Sequence, residues 1–180
     1  FDSKLRLFFF NFKQNIKKMF VSKNIQTTIG GMLAIRSDKG LCLLEFLDGK
    51  TVDKQLKEIN LLGEIVQDEY DVILCNLQKE IDLYFSEQLT KFTIPIDFIG
   101  TDFQIKVWNS LLDIPFGTTK SYKEQAIAVG DLLAIRAVAN ANGKNKIAIL
   151  VPCHRVIGSD GSLTGYAGGK KRKQFLLNLE

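Results

Sequence analysis

Cys153 and His154 are adjacent, and His154 is the only histidine in the chain. They sit in ILVPCHRVIG, residues 149–158, where an apolar run passes through Pro152 to the pair and Arg155 follows. The thiolate is the nucleophilic form of cysteine, and a free thiol with a pKa of about 8.5 is mostly protonated at neutral pH. His154 and Arg155 are the nearby groups able to shift that balance. Adjacent side chains on a helix point in different directions, so a bridging water is a simpler link between Cys153 and His154 than direct contact. The same residues also fit a buried, inert cysteine beside a histidine satisfied by a backbone carbonyl. A papain-type hydrolase draws its histidine from far along the chain, and no second histidine exists here, which argues against acyl transfer.

The segment that follows, GSDGSLTGYAGGKKRKQFLLNLE, weakens the inert reading. Gly158, Gly161, Gly165, Gly168 and Gly169 make a flexible loop around Tyr166, and a basic helix with an apolar face follows. A glycine-rich loop beside a nucleophile can wall a pocket and present backbone N–H groups to a ligand oxygen.

The elements that must position this chemistry lie upstream. Thr101 with Gln104 forms a capping box ahead of FQIKVWNSLLDI, whose Phe103, Val107, Leu111 and Ile114 mark one face. Ser121 with Glu124 forms a second ahead of YKEQAIAVG. Gly130 ends that helix, and Asp131 caps LLAIRAVANAN, which stops at Gly143. Ala126 and Gly130 stand four apart, the spacing of a helix-turn-helix. The second helix is rich in small residues, Ala134, Ala137, Ala139 and Ala141, with Arg136 its one long charged side chain. Such a helix can press into a narrow groove and send its arginine between base pairs. It equally fits a buried helix whose arginine snorkels to water.

The first half reads as a smaller unit. GGMLAIRSDKGLCLLEFLDG carries a β-hairpin signal, TVDKQLKEINLLGEIV reads as a short helix, and DVILCNLQKEIDLYFSEQ as a stronger one with Asp71 as its cap. LTKFTIPIDFIG, interrupted by Pro95, reads as an extended connection. The expected fold is therefore an α/β N-terminal domain, a small antiparallel sheet plus helices, over 1–95. A mainly helical C-terminal domain containing the helix-turn-helix follows over 99–180. Residues 1–23, basic and aromatic, stay unassigned.

Net charge is +4 but uneven: residues 101–180 carry 11 Lys/Arg against 6 Asp/Glu, which suits either a polyanionic partner or a solvated charged face. No apolar run reaches the roughly 18 residues that span a bilayer, so no membrane partner is expected. The odd cysteine count, three, points to a reducing cytoplasm, with Cys42 and Cys75 read as small core residues. With one histidine and no CxxC, no metal site is expected.

From Gly100 to Glu180 the chain resembles the O6-alkylguanine-DNA alkyltransferases, also called methylated-DNA–protein-cysteine methyltransferases. The resemblance runs through GTDFQIKVWNSLLDIPFGTT, SYKEQAIAVG, AIRAVANANGKN, PCHRVIGSDGSLTGYAGG and LLNLE. It implies repair of double-stranded DNA carrying O6-alkylguanine, and O4-alkylthymine, by a monomer needing no cofactor, in the cytoplasm or a nucleus. The damaged base flips out, and the alkyl group passes irreversibly to Cys153, one per protein molecule. By position, His154 resembles the base acting through water, Glu180 the carboxylate orienting it, and Asn145 the hinge tying the recognition helix to the active-site segment. Arg136 resembles the finger that fills the gap, and Tyr122 a residue that assists flipping. Tyr166 and Ala167 lie in the pocket loop, with an N–H near Ala167 toward the guanine oxygen. The Cys153 and Val156 carbonyls are implied to read the exocyclic amine.

Many members have proline, glycine and proline where this chain has Leu132, Ala139 and Lys146. Leu132 and Ala139 are expected to make the recognition helix more regular and bulkier, and Lys146 to offer a further phosphate contact. The rival readings are the C-terminal part of a larger alkylation-response regulator, a damage-sensing alkyltransferase-like module, which lacks the cysteine, and a cysteine hydrolase.

Overall fold

The computed structural model describes residues 18–180. Of the unassigned lead-in, residues 1–17 lie outside the described part, and the remainder opens a strand, β1 (Lys18–Ile25). β2 (Met32–Arg36) and β3 (Leu41–Phe46) form the expected hairpin, with Met32 opposite Phe46 and Ala34 opposite Leu44. β1 pairs antiparallel with β2. The stretch expected as one short helix divides into α1 (Val52–Asn60) and β4 (Gly63–Gln67). β4 runs parallel to β1, so the sheet, ordered β3-β2-β1-β4, is mixed. A Cβ at Gly63 would collide with the Lys18 carbonyl, so the start of β4 depends on a residue without one.

α2 (Val72–Phe85) begins as expected at Asp71, whose carboxylate accepts from Leu74 N at 3.0 Å. Arg36 Nε also donates to that carboxylate at 2.9 Å, tying the cap to β2. Leu74, Leu77, Ile81 and Tyr84 recur at helical spacing and are buried against the sheet. Each buried side chain of this kind contributes roughly 1.5–3 kcal/mol relative to exposure. Cys42 is in the core, whereas Cys75 is only half-buried, with Sγ 3.4 Å from the Glu69 carbonyl.

β3 would be a sheet edge, but two segments from farther along the chain cover it. Leu41 N donates to Pro95 O and Asp97 N to Leu41 O. Leu44 N donates to Lys146 O, and Ala148 N to Leu44 O, each at 2.8 Å. The expected connection around Pro95 is thus stitched to the sheet, as is the chain leading to Cys153. Every residue of β3 is buried.

The helical half follows its caps. Both capping boxes form, at the starts of α3 (Asp102–Leu112) and α4 (Tyr122–Val129). Gly130 takes φ 90°, a conformation that costs a side-chain-bearing residue but not glycine. Asp131 then accepts from Leu133 N at 2.9 Å. The recognition helix is less regular than expected: Leu132–Ala134 form a 3₁₀ turn, and α5 proper is Ile135–Asn142. The tightening comes from the Asp131 carbonyl, which accepts from Ala134 N three residues on. Trp108 Nε1 donates to Ala141 O at 2.8 Å, and Gln125 and Asn142 exchange amide hydrogen bonds of 2.6 and 3.2 Å, fixing α5 against α3 and α4. A two-stranded parallel pair, β5 (Lys120–Ser121) with β6 (Val156–Ile157), and a final helix, α6 (Lys170–Leu179), complete the chain.

Glu45 is out of character in β3: it is buried, held by Phe46 N at 2.9 Å and Thr51 Oγ1 at 3.4 Å. Burial raises its carboxyl from 4.5 to about 7. The folded state therefore keeps a proton that the unfolded chain has lost, and stability falls as pH rises between those values. Glu45→Gln is expected to match the wild type at pH 4 and to exceed it at pH 8 by up to roughly 3 kcal/mol in urea unfolding. Equal midpoints at pH 8 would remove the assigned cost.

Candidate active site

The chain between α5 and Cys153 folds back on itself around one side chain. Asn145 Oδ1 accepts from Ile147 N at 3.0 Å, and its Nδ2 donates to Val151 O at 2.8 Å and to Cys153 Sγ at 3.3 Å. A side chain supplying donor and acceptor together closes this turn, which includes Ile149 at φ 71°, a strained value for a β-branched residue. Pro152 then leads into a 3₁₀ turn, Cys153–Arg155. In that turn the thiol is partly exposed while His154 and Arg155 point inward and are buried.

Behind the thiol lies a charged network. Glu180 Oε1 accepts from Tyr84 Oη at 2.6 Å and Arg155 Nη2 at 3.0 Å, and Oε2 from Arg155 Nε at 2.7 Å. His154 Nε2 is 2.9 Å from Oε1. A carboxylate so engaged only accepts, so Nε2 carries the proton and Nδ1 is left as an acceptor. Nδ1 is buried without a hydrogen-bond partner among the described residues, and it does not bond the sulfur.

Burial lowers the pKa of His154 against the opposing pull of Glu180. Glu180 is held below the ordinary carboxylate range, because the bonds from His154, Arg155 and Tyr84 outweigh the upward push of burial. The bidentate Arg155 already neutralises the carboxylate, so the resting pair is a neutral imidazole beside an ionised Glu180. Burial also pushes the Cys153 thiol up to about 11, with the Asn145 amide pulling the other way. The residue keeps an open side, which tempers the shift, but its direction leaves a protonated thiol at rest.

Cys153 lines a cleft of about 450 Å³. Tyr122, Arg136, Tyr166 and Ala167 line it, together with Ile135, Ala139, Asn142, Gly143, Thr164 and Gly165. The walls are mostly apolar, and the buried Tyr166 hydroxyl has no partner among the described residues. Tyr122 Oη lies 2.7 Å from Thr164 Oγ1, joining α4 to the glycine loop. Arg136 and Ala137 are exposed on α5, so the small-residue helix presents a face to solvent and is not wholly packed away.

Five of the nine expected site residues thus meet at the cleft, Cys153 among them, and His154, Glu180 and Asn145 stand directly behind the thiol. Val156 does not line the cleft. Its carbonyl accepts from the buried Lys173 Nζ at 2.5 Å, which leaves one lone pair for a ligand. Lys146 corrects its expectation: only 9% exposed, it donates to Ile99 O at 2.8 Å and pairs with Glu58 at 2.9 Å, facing the sheet domain and not solvent. Tyr84 and Lys173 carry no site signal in the sequence, and Arg155, read there as a charge beside the thiol, instead holds Glu180. Tyr84 reads as one more apolar position on α2, and a buried lysine on a helix carrying KKRK looks like surface charge. Among the described residues, no group of three His, Cys, Asp or Glu is placed to hold a metal ion, and no helix is long and apolar enough to cross a membrane.

Comparison with known proteins gives this geometry a lineage. The family model for the 6-O-methylguanine DNA methyltransferase DNA binding domain matches residues 102–180, and that for the ribonuclease-like domain of the same enzymes matches 21–98. A methylated-DNA–protein-cysteine methyltransferase of Methanosarcina barkeri is 44% identical over 156 residues, spanning 87% of this chain and 94% of the relative. The chain belongs to the 6-O-methylguanine DNA methyltransferase family. The crystal structure of the Mycobacterium tuberculosis O6-methylguanine methyltransferase superposes with a TM-score of 0.78 at 40% identity, over 89% of this chain and 92% of that one. The structure of the same organism's OGT in complex with DNA gives 0.77 at 38%, over 89% and 91%. In this methyltransferase Cys153, the cleft and the helix-turn-helix all fall within the residues matched by the DNA binding domain. The ribonuclease-like part nonetheless reaches the site through Tyr84 on Glu180.

Proposed function

We propose that this chain is a DNA repair enzyme. It accepts the alkyl group of O6-alkylguanine, and of O4-alkylthymine, from duplex DNA onto Cys153, once per molecule. The observation that carries the reading is a single thiol lining a mostly apolar, base-sized cleft, with an amide donor on its sulfur and a neutral histidine behind it. The family relationship and the basic helical half support DNA as the partner.

The base must leave the duplex stack to enter the cleft that Cys153 lines, and α5 with exposed Arg136 suits entry from the minor groove. Tyr122 and Tyr166 wall the flipped base, and the chain near Ala167 offers an N–H to O6. The thiol proton moves through one water to His154 Nδ1, and Glu180 stabilises the imidazolium that forms. The sulfur then bonds the alkyl carbon as the carbon–O6 bond breaks, and O6 leaves with the electron pair. The guanine takes up one proton, so the net change is thiol plus O6-methylguanine to thioether plus guanine. An alkyl carbon calls for a soft, strong nucleophile, which a thiolate is and a hydroxyl is not. Nothing in the site removes alkyl from a thioether, so the protein is consumed. A monomer in a reducing cytoplasm or nucleus suits a repair agent that needs its thiol free. The presence of Cys153 favours repair over sensing alone.

A duplex carrying one O6-methylguanine with a labelled methyl tests the reading. One label per chain should appear in the Cys153 peptide, and label remaining on the DNA would overturn it. Arg136→Ala should slow repair of duplex by about tenfold or more while leaving reaction with free O6-benzylguanine within about twofold, since stack-filling matters only in a duplex. Equal losses on both substrates would reject the finger role.

A further inference from the structure

The start of the segment that carries Asn145 to Cys153, residues 145–148, is held by α1, β3 and the connection ahead of α3. Gln55 Nε2 on α1 donates to Asn145 O at 3.3 Å. Lys146 Nζ reaches Glu58 on α1 at 2.9 Å and the Ile99 carbonyl at 2.8 Å. The Lys146 carbonyl and the Ala148 N–H bond Leu44 of β3 from both sides. Asn145 itself is 97% buried, and its Nδ2 donates to Sγ as well as to Val151 O, so slack in residues 145–148 shifts the donor that faces the sulfur.

We infer that Lys146 is a positioning residue: it clamps the Asn145 turn to α1 so that the Asn145 amide stays on the Cys153 sulfur. Proline fixes φ at such a position but has no side-chain donor. Lysine supplies instead a cation that bridges Glu58 on α1 and the backbone carbonyl of Ile99 in the connection ahead of α3. The Lys146 side chain is 11% exposed and that of Glu58 42%, so the ion pair is partly solvated. The bond to the Ile99 carbonyl is the more sheltered half of the clamp. Lys54 and Lys144 line the same small cleft and do not take part in the bonds to Asn145 or Ile99. The Asn145 N–H···S contact favours thiolate over thiol, so loosening it should make Cys153 harder to ionise.

The inference rests on the proposed transfer reaction for one arm only. Lys146→Met and Glu58→Gln are compared with the wild type in three measurements. At saturating methylated duplex, Lys146→Met should lose about fivefold or more in transfer rate, with Glu58→Gln losing less. Duplex affinity and its salt dependence should stay within about twofold for both. With iodoacetamide and no DNA, the pH midpoint of Cys153 alkylation should move upward in Lys146→Met. The exchange pair Glu58→Lys with Lys146→Glu should recover part of the rate. An unchanged rate and midpoint would overturn the clamp. So would a loss confined to affinity, with the salt slope smaller by about one, because that is the signature of a phosphate contact. If Lys146→Met does not fold, Glu58→Gln with its iodoacetamide midpoint decides alone. A wild type that alkylates with iodoacetamide but takes no methyl from DNA would sink the transfer reading while leaving the clamp to be judged on the midpoint.

Discussion

Cys153→Ser should bind methylated duplex as tightly as the wild type, within about twofold, and leave every methyl on the DNA. The substitution replaces one polarisable sulfur in the cleft lining with oxygen and leaves α5 and the lysines and arginines of the helical half unchanged. Serine is also smaller, so the walls formed by Tyr122 and Tyr166 keep their shape. The hydroxyl is a poor nucleophile toward saturated carbon, and a neutral imidazole is too weak a base to generate an alkoxide from it at neutral pH. Electrophoretic mobility shift of the duplex together with intact mass of the protein reads both halves of the result. Binding without transfer would show that recognition and chemistry are separable and rest on different residues. Methyl appearing on the variant would move the acceptor away from position 153. Loss of binding would mean that the thiol side chain is itself part of recognition.

Much of the helical half was legible because its signals are local. Thr101 with Gln104, Ser121 with Glu124, Gly130 and Asp131 each close a hydrogen bond or a turn within four residues of themselves, so a reader needs only the neighbouring letters. Asp71 and the hairpin are local in the same sense. β4 was not legible, because GEIVQ becomes a strand only through a parallel partner more than forty residues earlier, and five residues carry too little alternation to announce it. β1 was hidden for the same reason within a basic, aromatic lead-in.

The candidate site divides along the same line. Cys153, His154 and the glycine loop stand together in sequence, whereas the residues that set their chemistry arrive from elsewhere. Tyr84 comes from 96 positions before Glu180, and its spacing on α2 is that of any core residue. Lys146 was misread because a lysine beside a recognition helix looks like a phosphate contact until Glu58 and Ile99 are placed next to it. Distance in the chain, more than weakness of the interaction, decided what could be read.

Glu180→Gln should be the most damaging change behind the thiol. The wild-type carboxylate is nearly sealed from solvent and receives Tyr84, His154 and two guanidinium donors. An amide cannot accept from all of them, because its NH₂ end is itself a donor and meets the N–H of either His154 or Arg155. Arg155 then keeps a largely buried charge without its counter-ion, at a cost of about 3–5 kcal/mol in urea unfolding. The imidazole is released to the other tautomer, with the proton on Nδ1, and loses the acceptor to which the proposed reaction delivers the Cys153 proton. Transfer at saturating duplex should fall by about 10²–10⁴.

The pH dependence separates the two effects. A carboxyl held below its ordinary value contributes stability that is present above about 4.5 and lost as pH falls through the folded pKa. The wild type should therefore lose stability on acidification below pH 4.5, and Glu180→Gln should lose much less over that interval. A variant with the wild-type rate at saturating duplex, measured well below its melting temperature, would rule out the carboxylate as the group that orients His154. A variant with the wild-type acid profile would mean that the charge network contributes nothing to the fold.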